Sequence, residues 1–452
     1  MTVEQSSVRE ELFGPTQRAV TVGIVLLITL VAFENMGVGT AMPALIADLG
    51  TVSQYGWPFL AFIATNVIGT VLAGRWSDAH GPKAVLLGAP AVFGLGLLVA
   101  GTAGTLTQLL IGRVLQGLSA GATGVVVYVL IALIYTPRAR PAVFGLISAA
   151  WVVPSLVGPP ISALVTEQFS WHWVFLGLLP LVVVALLLVL PASRGLPTPT
   201  DPPPARPGVV VAAFAAAFGV TALSWSGQHT TIVGLVVALA AAAVLFRALR
   251  RLVPEGTFVA RQGIAAVVAG RALIAGAFFT TAAYLPLMLT STHGWSLTAA
   301  SAPLIVGSLG WSGASAWQGR HPDLSRAMLL RVGFLHLAVG LAALLLVAPS
   351  WGLAWLALPA VGVAGIGMGL GFSALSFLLL QCSGPTEVGF NSSSAQLADQ
   401  LSQAVFVGIG GALLALISTP ALALTVLVGV LALLTVCGVV ISPRTQRRAP
   451  SR

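Results

Sequence analysis

The sequence predicts an all-α integral membrane protein with fourteen transmembrane helices. Three observations carry that expectation. Of its 452 residues, 57% are hydrophobic and only 7% charged, and the mean hydropathy is +0.99. Soluble domains run near a quarter charged, so this chain needs a lipid-facing surface rather than one outsized core. The 50 glycines and 28 prolines lie inside long apolar stretches, and both residues are commoner in membrane helices than in soluble ones. Finally, apolar runs of about 20 residues, the length that crosses a bilayer, recur along the whole chain.

Taken in order, the first six runs lie near 19–43, 55–74, 84–104, 107–135, 141–166 and 171–191. Two shorter ones follow near 208–225 and 230–246, joined by Ser226-Gly227-Gln228-His229. Neither carries a charge and both can span a bilayer without tilt, so they are read as two spans rather than a re-entrant hairpin. The last six lie near 270–290, 298–318, 328–348, 354–381, 388–417 and 421–441. A proline-stiffened linker from Pro197 to Pro204 and, at 251–270, a cytoplasmic linker running into an interfacial helix separate these groups. The expected organisation is a six-helix bundle at 1–191, a two-helix insert with its linkers at 192–263, and a second six-helix bundle at 264–452.

Orientation follows from the basic residues. Of the 21 Lys and Arg, Arg113 lies within a helix and Arg271 at the inner edge of one. The rest fall in the tails or in alternate loops, those with Arg75/Lys83, Arg138/Arg140, Arg194/Arg206, Arg247–Arg261 and Arg320–Arg331. Cytoplasmic loops hold the excess of Lys and Arg, so both termini are expected in the cytoplasm. Arginine outnumbers lysine 20 to 1, a composition that points to a GC-rich bacterial genome and a bacterial plasma membrane.

Several function classes are disfavoured. The net charge of +9 forms no basic stripe interleaved with aromatics, which argues against nucleic-acid binding. No His/Cys cluster has metal-ligand spacing, and no phosphate-cradling G-x-x-x-x-G-K-[ST] is present, so neither metal nor cofactor is expected and gradient-driven transport outranks an ATP-driven pump. Cys382 and Cys437 fall toward cytoplasmic helix ends, where a structural disulfide is not expected. The polar first 18 residues and the long apolar run after them do not read as a cleavable signal peptide.

The loop after the second run reads Gly74-Arg-Trp-Ser-Asp78-Ala-His-Gly81-Pro-Lys83. Its bland reading is a helix hairpin in which Asp78 caps a helix N-terminus. Here the chain resembles the major facilitator superfamily, whose signature is G-x-x-x-D-x-x-G-R-R/K: Gly74, Asp78, Gly81 and Lys83 match, whereas Ala79 and Pro82 replace basic residues. The resemblance implies a gating role for Asp78. Gly319-Arg-His-Pro-Asp323 is a degraded copy in the second half. Arg113-Val-Leu-Gln116-Gly117 resembles the family's R-x-x-Q-G. Gly145, Gly158 and Pro159 match the antiporter signature G-x8-G-x3-G-P-x2-G-G, with Pro154, Ser162 and Ala163 standing at glycine positions. Glu34 to Pro43 is similar to the D-x-T-x-x-N-x-A-L-P stretch of fourteen-span drug:proton antiporters, and Trp171-His-Trp173-Val-Phe175 to their W-R-W-x-F. Fold and mechanism are implied accordingly: a major facilitator fold of two six-helix bundles plus the insert, working by alternating access.

Three charges stand inside apolar runs. An ionisable group in hydrocarbon costs at least about 2.5–3.5 kcal/mol. Glu34 lies about 13 Å below the outer end of its helix and Arg113 about 9 Å below the outer start of the fourth, so the two can meet. Asp399 lies about 18 Å into its segment, on a polar stripe with Ser392, Gln396 and Gln403. Such a stripe faces a cavity rather than lipid. The reading is therefore proton coupling by Glu34, Arg113 and Asp399, with Gln116, Trp151, Tyr284, Gln396 and Gln403 lining the substrate cavity. The bland alternative is a structural ion pair and an aspartate satisfied by local amides. Tyr128, Trp151, Tyr284 and Trp311 could form an aromatic cavity for greasy cations, and the glycine run from Gly362 to Gly371 is assigned to close packing.

The expected function is proton-coupled export of drugs or other hydrophobic or amphipathic molecules by a monomeric carrier in the lipid bilayer. Rivals are a lipid or cell-envelope precursor exporter, a proton-coupled metabolite uptake carrier, and a non-transporting membrane scaffold or sensor.

Overall fold

A computed structural model of the chain describes residues 8–15, 17–136, 139–196, 208–229, 231–321, 323–383 and 388–445. The linker prolines at 197–204, Arg138, Arg206 and Pro322 lie outside the described residues. Regular structure among the described residues is helical: a short α1 (Val8–Phe13), then α2 (Arg18–Leu49), α3 (Trp57–His80), α4 (Lys83–Gly101), α5 (Leu106–Ile134) and α6 (Arg140–Gln168). Next come α7 (His172–Leu176), α8 (Leu179–Val189), α9 (Val209–Gly227), α10 (Ile232–Leu252) and α11 (Ile264–His293). The chain closes with α12 (Leu297–Gly319), α13 (Arg326–Leu344), α14 (Ala357–Cys382), α15 (Val388–Leu416) and α16 (Pro420–Ile441).

Among the described residues, thirteen helices are long and apolar enough to cross a membrane. The sequence reading expected fourteen. The difference falls on α12, a helix as expected but interrupted by Ser301, Ser308, Ser312, Ser315 and Gln318 and not one of the thirteen.

Helix limits differ from the sequence reading in several places: α2 runs on to Leu49 rather than ending near 43 and α10 to Leu252 rather than near 246, and three further differences have a local reason. The expected span at 171–191 is two helical pieces, because Pro180 has no N–H with which to continue the ladder across Gly177 and Leu178. The helix α3 runs on to His80, where Gly81 at φ +83° turns the chain as only glycine does easily. Asp78 therefore sits in the last turn of α3 and does not cap the next helix, which starts after Pro82. The third case is α11, which opens at Gly263 (φ +93°) rather than near 270.

The chain packs into two compact units. One comprises 1–38 and 65–210, the other 39–64 and 211–452. The helix α10 and nearly all of α9 group with the second unit. In the first unit α4 and α5 meet where Gly112 lies against Ala100, and α5 meets α3 where a side-chain carbon on Gly121 would fall 2.1 Å from the Asn66 carbonyl oxygen. In the second, α12 and α14 touch backbone to backbone: a carbon added at Gly365 would fall 2.0 Å from the Gly307 carbonyl oxygen. The glycine run of α14 is a packing surface, as its spacing suggested.

Candidate functional site

Among the described residues, two ion pairs stand inside membrane-crossing helices, one in each unit. In the first unit Glu34 on α2 and Arg113 on α5 are joined through Arg113 Nη1 and Glu34 Oε1. Their side chains are 0% and 3% exposed, so the pair is sealed from solvent. The same Nη1 donates to Gln116 Oε1 at 2.9 Å, one turn along α5. Glu34 Oε2 and Gln116 Nε2 are buried without a hydrogen-bond partner among the described residues.

The backbone explains the placement. Gly112 beside Arg113 admits Ala100 of α4, and Gly121 admits α3, so α5 is held close on both neighbours. The Glu34 stretch of α2 is held from the other side by α6. There Ser162 Oγ donates to the Gly37 carbonyl at 2.6 Å, and Gly158 lies under Met36 and Phe33. Positions 158 and 162 thus back the helix that carries Glu34. Pro159 is buried beside them and Gly145 lies in the same helix.

The second unit holds a pair that the sequence reading reached only by half. Asp399 on α15 is not satisfied by local amides. Arg271 on α11 donates through Nε to Asp399 Oδ1 at 3.1 Å and Oδ2 at 3.2 Å, and Nη2 also donates to Oδ2. Arg271 Nη1 donates to Ser376 Oγ on α14 at 2.9 Å, and the guanidinium lies 3.9 Å from the Phe372 ring centroid. This pair is more open, with side chains 12% and 15% exposed. The sequence places Arg271 at a helix edge because the apolar run begins near 270; α11 starts at Ile264, and the residue lies two turns inside.

The other expected cavity residues have diverse surroundings. Gln116 is wholly buried as a partner of Arg113. Tyr284 is also wholly buried; its hydroxyl donates to the Val407 carbonyl at 2.7 Å, and its ring lies 5.2 Å from that of Tyr55. Trp151 is half-buried on α6, Gln396 is exposed and Gln403 half-buried on α15. Tyr128 is exposed, whereas Trp311 packs against Phe278, Phe279 and Phe372. Gly74 lies within α3, and Asp78 and Lys83 are exposed around the Gly81 turn. Both cysteines are free thiols.

Residues 24–407 match the Major Facilitator Superfamily. The chain belongs to that family. It is therefore a member of a transporter family and not an enzyme, a multi-pass membrane protein built on the family's helical fold. Multidrug resistance protein 3 of Bacillus subtilis is 26% identical over 370 residues, covering 79% of this chain and 71% of that relative. An uncharacterised MFS-type transporter of Mycobacterium tuberculosis is 29% identical over 313 residues, 66% of this chain; the match spans only 45% of that longer protein. Solved structures share the fold at 15% identity. A bacterial homologue of the human lysosomal transporter Spinster has a TM-score of 0.67, covering 97% of this chain and 99% of its own. A D-xylose–proton symporter has 0.69, covering 94% and 97%.

Proposed function

We propose that this family member is a proton-coupled antiporter of fourteen spans that exports hydrophobic or amphipathic small molecules by alternating access. It would lie in a bacterial plasma membrane with both termini in the cytoplasm, as the alternation of basic loops suggests. The sealed Glu34–Arg113 pair carries this reading. A buried ion pair adds little to stability, since well-packed apolar residues of similar volume do as well, while removing one partner costs about 3–5 kcal/mol. An ionisable group kept inside a membrane helix is a functional group by default. When Glu34 takes a proton it releases Arg113, whose Nη1 still holds Gln116, so protonation changes the link between α2 and α5. A carrier that alternates access needs a carboxyl that loads on one side and unloads on the other. The export direction draws on relatives named for multidrug resistance.

The test is transport of a fluorescent dye panel in proteoliposomes with an imposed pH gradient. Glu34→Gln is expected to abolish gradient-driven dye accumulation while leaving dye exchange at zero gradient. If the variant accumulates dye at the wild-type rate with unchanged proton flux, Glu34 is not the coupling group.

A further inference from the structure

We propose that the Arg271–Asp399 site of the second unit binds the carboxylate of an aromatic amphiphile, which takes the place of Asp399 on Arg271. This rests on the transporter reading but not on coupling through Glu34.

Which member of an ion pair a solute replaces depends on what holds each member once the other is gone. Arg271 has two anchors independent of Asp399: Ser376 Oγ at 2.9 Å and the Phe372 face at 3.9 Å. Both lie on α14, so the guanidinium keeps its place and presents Nε and Nη2 as a fixed two-pronged donor. That fork matches a carboxylate and is already organised for one. Asp399 has no such support. Among the described residues its carboxylate accepts hydrogen bonds only from Arg271. The aspartate is therefore the exchangeable member.

Exposure separates this pair from the other. Glu34 is 0% exposed and could not leave Arg113 without stranding a sealed charge, whereas Asp399 is 15% exposed and can turn toward solvent. A cationic solute is disfavoured by the same geometry. It would have to displace the better-anchored arginine, and the ring face of Phe372, which would attract a cation, is already covered by that guanidinium.

The apolar part of the solute follows from what adjoins the donor fork. Phe372 meets Trp311 edge-on at 6.2 Å, and Trp311 meets Phe278 and Phe279, each at 5.9 Å. Phe278 lies two turns beyond Arg271 on the same face of α11. All four rings are partly exposed. Offset and edge-on ring contacts favour flat aromatic bodies over alkyl chains.

Full-length protein in detergent would be titrated with 2-naphthoate, its neutral amide 2-naphthamide, the cation 2-naphthylmethylammonium, and decanoate, following calorimetry and tryptophan fluorescence. The carboxylate is expected to bind about tenfold tighter than the amide or the cation, and tighter than decanoate. Asp399→Asn, which removes the competing carboxylate, should tighten 2-naphthoate binding about tenfold further. The double variant Arg271→Gln/Asp399→Asn leaves no unpaired charge and should lose the preference for the anion. Equal or better binding of the amide or cation by wild type overturns the proposal, as does a preference that survives the double variant. Decanoate binding as tightly as 2-naphthoate overturns the aromatic part. The wild-type ranking decides even if a variant fails to fold, and none of these readings depends on a pH gradient.

Discussion

Glu34 and Asp399 are both carboxylates paired with an arginine inside apolar helices, yet their surroundings divide them. Glu34 is sealed and one of its oxygens has no described hydrogen-bond partner; Asp399 is partly open and meets an arginine already held by α14. Asp78 poses a different problem. It is exposed in the last turn of α3, where the helix presents its negative end and favours cations. A carboxylate kept there works against its own helix, which suits a gating contact better than a structural one. Asp78→Asn is therefore expected to leave the thermal stability of the purified protein unchanged or slightly higher while slowing transport several-fold. Wild-type transport in that variant would return Asp78 to ordinary solvated surface. The Glu34–Arg113 meeting was reached from the sequence by counting helical rise from Pro43, although α2 runs on to Leu49. The Arg271–Asp399 pairing was not, because six residues of error at a helix start turn an interior arginine into one at a helix edge.

At the scale of elements, close approach depends on a few glycines. A valine at position 121 would drive its first carbon to 2.1 Å from the Asn66 carbonyl and force α3 and α5 apart. Overpacking of this kind costs about 1–3 kcal/mol. Gly121→Val is expected to lower the melting temperature and also impair transport, since the same helix carries Arg113 and Gln116; unchanged melting would show that α5 can move aside freely. The turn between α7 and α8 was visible as Pro180, and the stretch His172–Arg194 is one candidate span, as its hydropathy predicts. The helices α9 and α10 were legible as two apolar runs. Their contacts were not: Gln228 between them accepts from Trp57 Nε1 at 3.1 Å and donates to the Ser53 carbonyl at 3.2 Å, contacts between residues more than 170 positions apart.

For the whole molecule, the alternation of basic and neutral loops makes a topological statement that fusions can test. A fluorescent protein at the carboxyl terminus should fold and fluoresce in the cytoplasm, and alkaline phosphatase fused after Gln228 should be active outside. Inactive phosphatase at Gln228 would make α9 and α10 a re-entrant hairpin and reduce the span count. The sequence by itself determined that this is a helical membrane protein of the major facilitator kind, because the bilayer imposes length and apolarity on each segment and because the loop and helix motifs are local strings. It also placed Glu34 and Arg113 within reach of each other. Only the tertiary structure decided that Arg271 completes Asp399, that Tyr284 is buried against Val407, and that residues 39–64 pack with 211–452. Those outcomes depend on side-chain partners brought together from distant segments, and neither hydropathy nor spacing specifies which groups will share one neighbourhood.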